Sequence, residues 1–177
     1  SSQAWNEVYQ HPRKRRLGEA FRRCFATAQR LERLALSSGA ISYGCEAECG
    51  LERADLDAYV EAVGLDIDVG VGSLILALNA QPGVCTLSSC SSWHADPHEE
   101  EALVAFAAGD AAAERIGNLV GPSHFRKVRE DVVETTDGRR KRFQSYIVFS
   151  AAKQADGTPD AARRLRELME LASRLFK

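Results

Sequence analysis

The chain contains no run of about eighteen apolar residues, so no segment of it reads as a membrane-spanning helix. Its first residues lack the basic-then-apolar order of a secretory signal, and no low-complexity linker divides it. Also missing are a phosphate-cradling glycine loop, a Gly-x-Ser-x-Gly elbow and a His-Glu-x-x-His pair. Those absences take away the support for NTPase, serine-hydrolase and zinc-protease readings. Cysteine is sparse as well. Five residues, an odd number at irregular spacing, argue against a disulfide framework and for thiols kept in a reducing cytoplasm. The net charge is only −2, so bulk charge says nothing about partners.

What is present fits a soluble globular chain: 177 residues, 45% hydrophobic and 27% charged, enough for one core without staples. The expected organisation is a single α+β domain over 1–177. Residues 1–12 form an irregular lead-in, 13–80 are mainly helical, and 81–177 follow a ββα-ββα order. In 13–37, Leu17, Phe21, Cys24, Phe25, Ala28, Leu31 and Ala35 recur at helical steps opposite an arginine-rich face, and Gly39 closes the helix. A second helix is predicted over 53–63, stopped by Gly64. A third follows an acidic cap at Asp66 or Asp68, weakened by Gly70 and Gly72, with a strand over 69–76 as the alternative.

The second half alternates clearly. Val84, Thr86 and Leu87 make a strand, and 103–106 a second one antiparallel to it. Asp110 caps a helix to Val120 with Ala112, Ile116, Leu119 and Val120 inward. Thr136-Asp137-Gly138 is a hairpin signal between strands over 125–135 and 139–150. A last helix over 161–176 carries the stripe Leu165, Leu168, Met169, Ala172 and Leu175. The result is an antiparallel sheet of about four strands with helices on one face.

The chemistry concentrates in 82–98, where the first strand is expected to run into a polar loop. Ser88, Ser89, Ser91 and Ser92 surround Cys90, with Trp93, His94 and His98 following. Cys90 is the candidate nucleophile and His94 the candidate base, because a thiol reacts only as thiolate and needs a neighbour to take its proton. Ser88, Ser89 and Ser91 are candidate ligand-binding hydroxyls, and Trp93 a candidate stacking ring. The bland alternative is a buried cysteine ending a strand, with serines capping loop amides.

Leu78-Asn79, Pro82-Gly83-Val84, Thr86 and Ser88-Ser89-Cys90-Ser91, followed by the 103–106 strand, resemble the core of the wybutosine-biosynthesis methyltransferase family. That family carries a Thr-Ser-Ser-Cys-Ser-Gly-Arg type signature, whose glycine and arginine are replaced here by Ser92 and Trp93. The resemblance covers roughly a quarter of the chain. It implies a related fold, a tRNA or nucleotide-like partner at the 88–98 loop, and methyl transfer from S-adenosylmethionine to a modified guanosine. Under that reading the serines and loop amides hold the ligand, and His94 accepts a proton.

Two other constellations compete. Cys45, Cys49, Cys85, Cys90, His94 and His98 include enough donors for a metal, with Cys90, His94, Asp96 and His98 the nearest set. Cys85 and Cys90 differ by an odd number, so on a regular strand they face opposite sides. Arg126, Lys127 and Arg129 lie across the hairpin from Arg139, Arg140, Lys141 and Arg142, a candidate phosphate-binding surface or simply a charged hairpin blunted against edge pairing. Alternation sets Arg139 and Lys141 on one face, Arg140 and Arg142 on the other. His11 and His124 stand alone and read as structural or solvated. The alternatives to a methyltransferase are a non-catalytic binding protein and a metal-dependent enzyme built on Cys90, His94 and Asp96.

Overall fold

The computed structural model describes residues 18–39, 50–64, 67–91, 101–134 and 136–177. Within them the elements run α1 (Gly18–Ser37), α2 (Arg53–Val63), α3 (Gly72–Ala80), β1 (Val84–Cys90), β2 (Ala102–Ala108), α4 (Asp110–Val120), β3 (Phe125–Glu134), β4 (Arg140–Ser150) and α5 (Ala161–Leu175). The fold is α+β, with a helical first half. All strand pairings are antiparallel, in the order β1-β2-β4-β3. Asp137-Gly138 turns β3 into β4, with Gly138 at φ 77°, a conformation a side chain would resist.

Alternation along the strands decides which face is covered. Ala102, Val104 and Phe106 of β2 and Tyr146 and Val148 of β4 are buried in one apolar cluster with the helices. Asn79 of α3 binds Thr86 of β1, Ser150 of β4 meets Glu167 of α5, and Phe125 of β3 packs on Gly117 of α4. These contacts all fall on that same face. α1 and α2 lie further out, packed on α3 and α5 rather than on the sheet.

α3 is therefore sealed between the sheet and the outer helices. Residues from Gly72 to Asn79 are all buried, which explains why Gly-Ser-Leu-Ile-Leu-Ala-Leu-Asn-Ala has no polar face. Its two polar side chains are both matched. Asn79 donates to the Thr86 hydroxyl at 2.9 Å and accepts from the Thr86 amide at 3.3 Å, which ties α3 to β1. Ser73 is bound to Glu32 of α1.

Several expectations change. α3 has no acidic cap: it starts after Val71, whose side chain makes no capping bond, and Asp68 instead accepts from the Ser91 hydroxyl at 3.1 Å. The orphan amides of its first turn are taken by side chains from two other helices, a tertiary substitute for a local cap. The strand alternative for 69–76 is not realised. Asp110 is the first helical residue, with Gly109 at the N-cap, so it acts on the helix dipole rather than as a cap. Leu119 is 42% exposed, and Ala113 fills the inward position beside Ala112, Ile116 and Val120. The expected polar loop begins later than residue 88, because Ser88, Ser89 and Cys90 are strand residues paired with β2.

Candidate functional site

β1 is not a regular strand. Thr86 pairs with Phe106 and Ser88 with Ala105, so Leu87 is an extra residue on β1. That bulge resets the alternation. Ser89 pairs with Val104 and thus lies on the helix-covered side, whereas Ser88 and Cys90 come out on the opposite side. Ser91 turns back toward the helices, buried, with its hydroxyl given to Asp68. The four serine and cysteine positions of the signature are therefore split between two faces. The cavity that Ser91 lines with Gly70, Ala161 and Leu165 is too narrow to admit water.

The same bulge alters the metal argument. Cys85 pairs with Ala107 and Cys90 with Leu103, so register places both cysteines on one side of the sheet despite their odd spacing. They are four rungs apart, about 13 Å at the usual strand rise. Thiolates sharing a zinc each lie about 2.3 Å from it, so these two cannot hold one ion. No group of three metal-ligating side chains occurs among the described residues. Cys45, Cys49, Trp93, His94, Asp96, His98 and His11 lie outside the described residues.

The face away from the helices has an order of its own. Ser88, Ala105, Ile147 and Arg126 form one rung across all four strands. Cys90, Leu103 and Phe149 form the next rung on the same face, and His124 completes it beyond β3. The His124 amide and carbonyl pair with nearby backbone, and its Nδ1–H donates to the Phe149 carbonyl at 2.9 Å, which ties the ring to β4. Ser88 is exposed, Cys90, Leu103, Ala105 and Phe149 are half-buried, and Ile147 is buried yet stands apart from the core cluster. The first rung spans about 14 Å from edge to edge.

Arg126 is fixed over this platform. Its guanidinium lies 4.8 Å from the centre of the Phe149 ring and donates to both Glu101 oxygens, at 2.5 and 3.3 Å. Aromatic contact and a forked carboxylate pair orient the same planar group from two sides.

The remaining basic residues do not converge. β4 is regular, so Arg140 and Arg142 lie on the helix side of the sheet and Lys141 on the platform side, as alternation predicts. A second bulge between Lys127 and Glu130 places Lys127 on the helix side as well. Arg129 pairs with Asp131, Arg139 with Asp137, and Arg142 with Glu130 at 3.8 Å. Of the hairpin cations, Arg126 and Lys141 share the platform side.

Sequence reasoning passed over a buried polar cluster behind the sheet. Glu32 of α1 is fully buried and accepts from the Tyr59 hydroxyl at 2.8 Å, from the Ser73 amide at 3.2 Å and from the Ser73 hydroxyl. Tyr59 of α2 in turn accepts from the amides of Gly70 and Gly72, at 2.9 and 2.8 Å. Burial pushes the Glu32 carboxyl up to about 7, against the pull of its hydrogen bonds and of Arg33. Burial and the nearby Glu32 charge hold the Tyr59 hydroxyl well above its ordinary range, so it stays a donor. A signal for Glu32 did exist: it sits seven residues after Phe25 and four after Ala28, inside the apolar stripe of α1.

Comparisons of the chain with protein-family models, with curated proteins and with solved structures find no match.

Proposed function

We propose that the platform face of the sheet binds a planar, phosphate-bearing ligand of nucleotide type. A modified tRNA guanosine is the case that the Ser88–Ser91 resemblance implies. The observation that carries the reading is the pair of rungs that follow one another on this face, Ser88-Ala105-Ile147-Arg126 and Cys90-Leu103-Phe149. Small and apolar side chains at the centre let a flat molecule approach the sheet closely. A hydroxyl and a thiol stand at one edge, and a ring with a guanidinium on it stands at the other.

The physics suits a base more than a compact anion. Stacking of a base on an aromatic or guanidinium plane contributes about 1–3 kcal/mol and tolerates different bases. Arg126 already has Glu101 as a counter-ion, so a phosphate would have to compete for it. The charge contribution should therefore be that of one contact, with a shallow salt dependence. Methyl transfer from S-adenosylmethionine is the catalytic extension of this reading. The described residues around Ser91 give no room for such a donor, so the proposal rests on the base platform.

The test is binding of a labelled RNA stem-loop, and of guanosine monophosphate, to the wild type and to Phe149→Ala and Arg126→Ala. Each variant should weaken binding about tenfold, the loss of one stacking or cation contact. Labelled S-adenosylmethionine in the same mixtures reads out transfer. A methylated product lost in Cys90→Ala supports the enzyme, and binding without transfer supports a non-catalytic ligand-binding protein. Affinities unchanged in both variants would remove the platform from consideration.

A further inference from the structure

β3 is an edge strand of ten residues, and no described strand pairs with its outer side. Long edges in natural sheets are usually blunted by mixed charges. Here the charges are sorted. Phe125-Arg126-Lys127-Val128-Arg129 carries the cations and Glu130-Asp131-Val132-Val133-Glu134 the anions. Two valines of this strand, Val128 at 49% and Val132 at 56%, are the most exposed of the large hydrophobic residues described.

We propose that β3 pairs with β3 of a second copy of this chain, antiparallel and about a two-fold axis near Glu130. A two-fold related pair places each strand's first half beside the other's second half. Lys127 of each copy then lies along Glu134 of the other on the helix side, and Arg129 along Asp131 on the platform side. One operation thus matches both charge blocks. The bulge between Lys127 and Glu130 moves the register by one residue, so these are neighbourhoods rather than strict rungs. The like charges at the axis are softened because each Glu130 has Arg142 of its own chain at 3.8 Å. The product is a continuous eight-stranded sheet in which the two platforms lie on the same side.

Charge-block exchange tests this pairing. Sedimentation equilibrium of the full chain at about 100 µM would populate even a weak, ~10 µM association. The wild type should run at twice the chain mass. Lys127→Glu with Arg129→Glu makes the strand predominantly acidic, and Asp131→Lys with Glu134→Lys makes it predominantly basic. Each double variant should be monomeric with an unchanged far-UV circular dichroism spectrum, and an equimolar mixture of the two should regain the doubled mass. A monomeric wild type, double variants that remain dimers, or a mixture that stays monomeric would overturn the proposal. If a double variant does not fold, Glu130→Cys on the wild-type background decides. Mild oxidation should yield a 130–130 cross-linked peptide pair, and its absence counts against the two-fold.

Discussion

Replacing Glu32 by Gln should leave the fold intact and change how its stability responds to pH. In the wild type both the Tyr59 hydroxyl and the Ser73 amide donate to one carboxylate oxygen, and the Ser73 hydroxyl donates to the other. A Gln side chain reproduces this, with its oxygen taking the first pair and its amide donating to the Ser73 hydroxyl. What Gln removes is the titration. The folded carboxyl takes up its proton near pH 7, whereas an unfolded one does so near its ordinary value of 4.5. Between those values the native state binds more protons than the unfolded chain, so stability falls as pH rises. The contribution is fully present below about 4.5, is lost through 7, and is flat above. The window is worth at most about 3 kcal/mol. Urea unfolding of both proteins from pH 4.5 to 8 measures it, because carboxylates elsewhere cancel in the difference. The variant should gain on the wild type by about 1–3 kcal/mol across the window. A flat difference, or one that runs the other way, would refute the picture of a desolvated carboxyl held by donors from two other helices.

Two more predictions probe the same cluster. Tyr59→Phe strips the acceptor from the Gly70 and Gly72 amides and a donor from Glu32, and should cost about 2–4 kcal/mol in urea unfolding. It should also move the pH window of Glu32 upward, since the lost hydrogen bond was one that lowered its pKa. Gly72→Ala would set a methyl group 2.4 Å from the Tyr59 hydroxyl oxygen and 2.6 Å from a Val63 methyl carbon. Overpacking of that kind should cost about 1–3 kcal/mol, and a thermal midpoint equal to wild type would contradict the close approach.

The fold was legible where one physical rule dominates. The stripes of α1 and α5, the Asp137-Gly138 turn and the alternation of β2 each reflect a single period or a single turn requirement. Legibility failed where distant residues take over a local task. The first turn of α3 is capped by Tyr59 and Glu32, which lie 13 and 41 residues away, so the local acidic residues were misleading. Gly70 and Gly72 read as helix weakeners, yet they give the backbone room to reach Tyr59. At the candidate site, the bulge at Leu87 decides which signature residues share a face. Nothing in Thr86-Leu87-Ser88 announces a bulge, so Ser88 and Cys90 could not be separated from Ser89 and Ser91 beforehand. The platform partners Ala105, Ile147 and Phe149 depend on strand register, which residue types alone do not give.

The platform itself is tested most directly by a backbone amide NMR titration with guanosine monophosphate. Shifts should be confined to Ser88, Cys90, Leu103, Ala105, Ile147, Phe149 and Arg126, with amides of α1 and α5 unmoved. Shifts grouped instead on the helical side, around Gln29, Arg33 and Met169, or no shifts at saturating ligand, would contradict it.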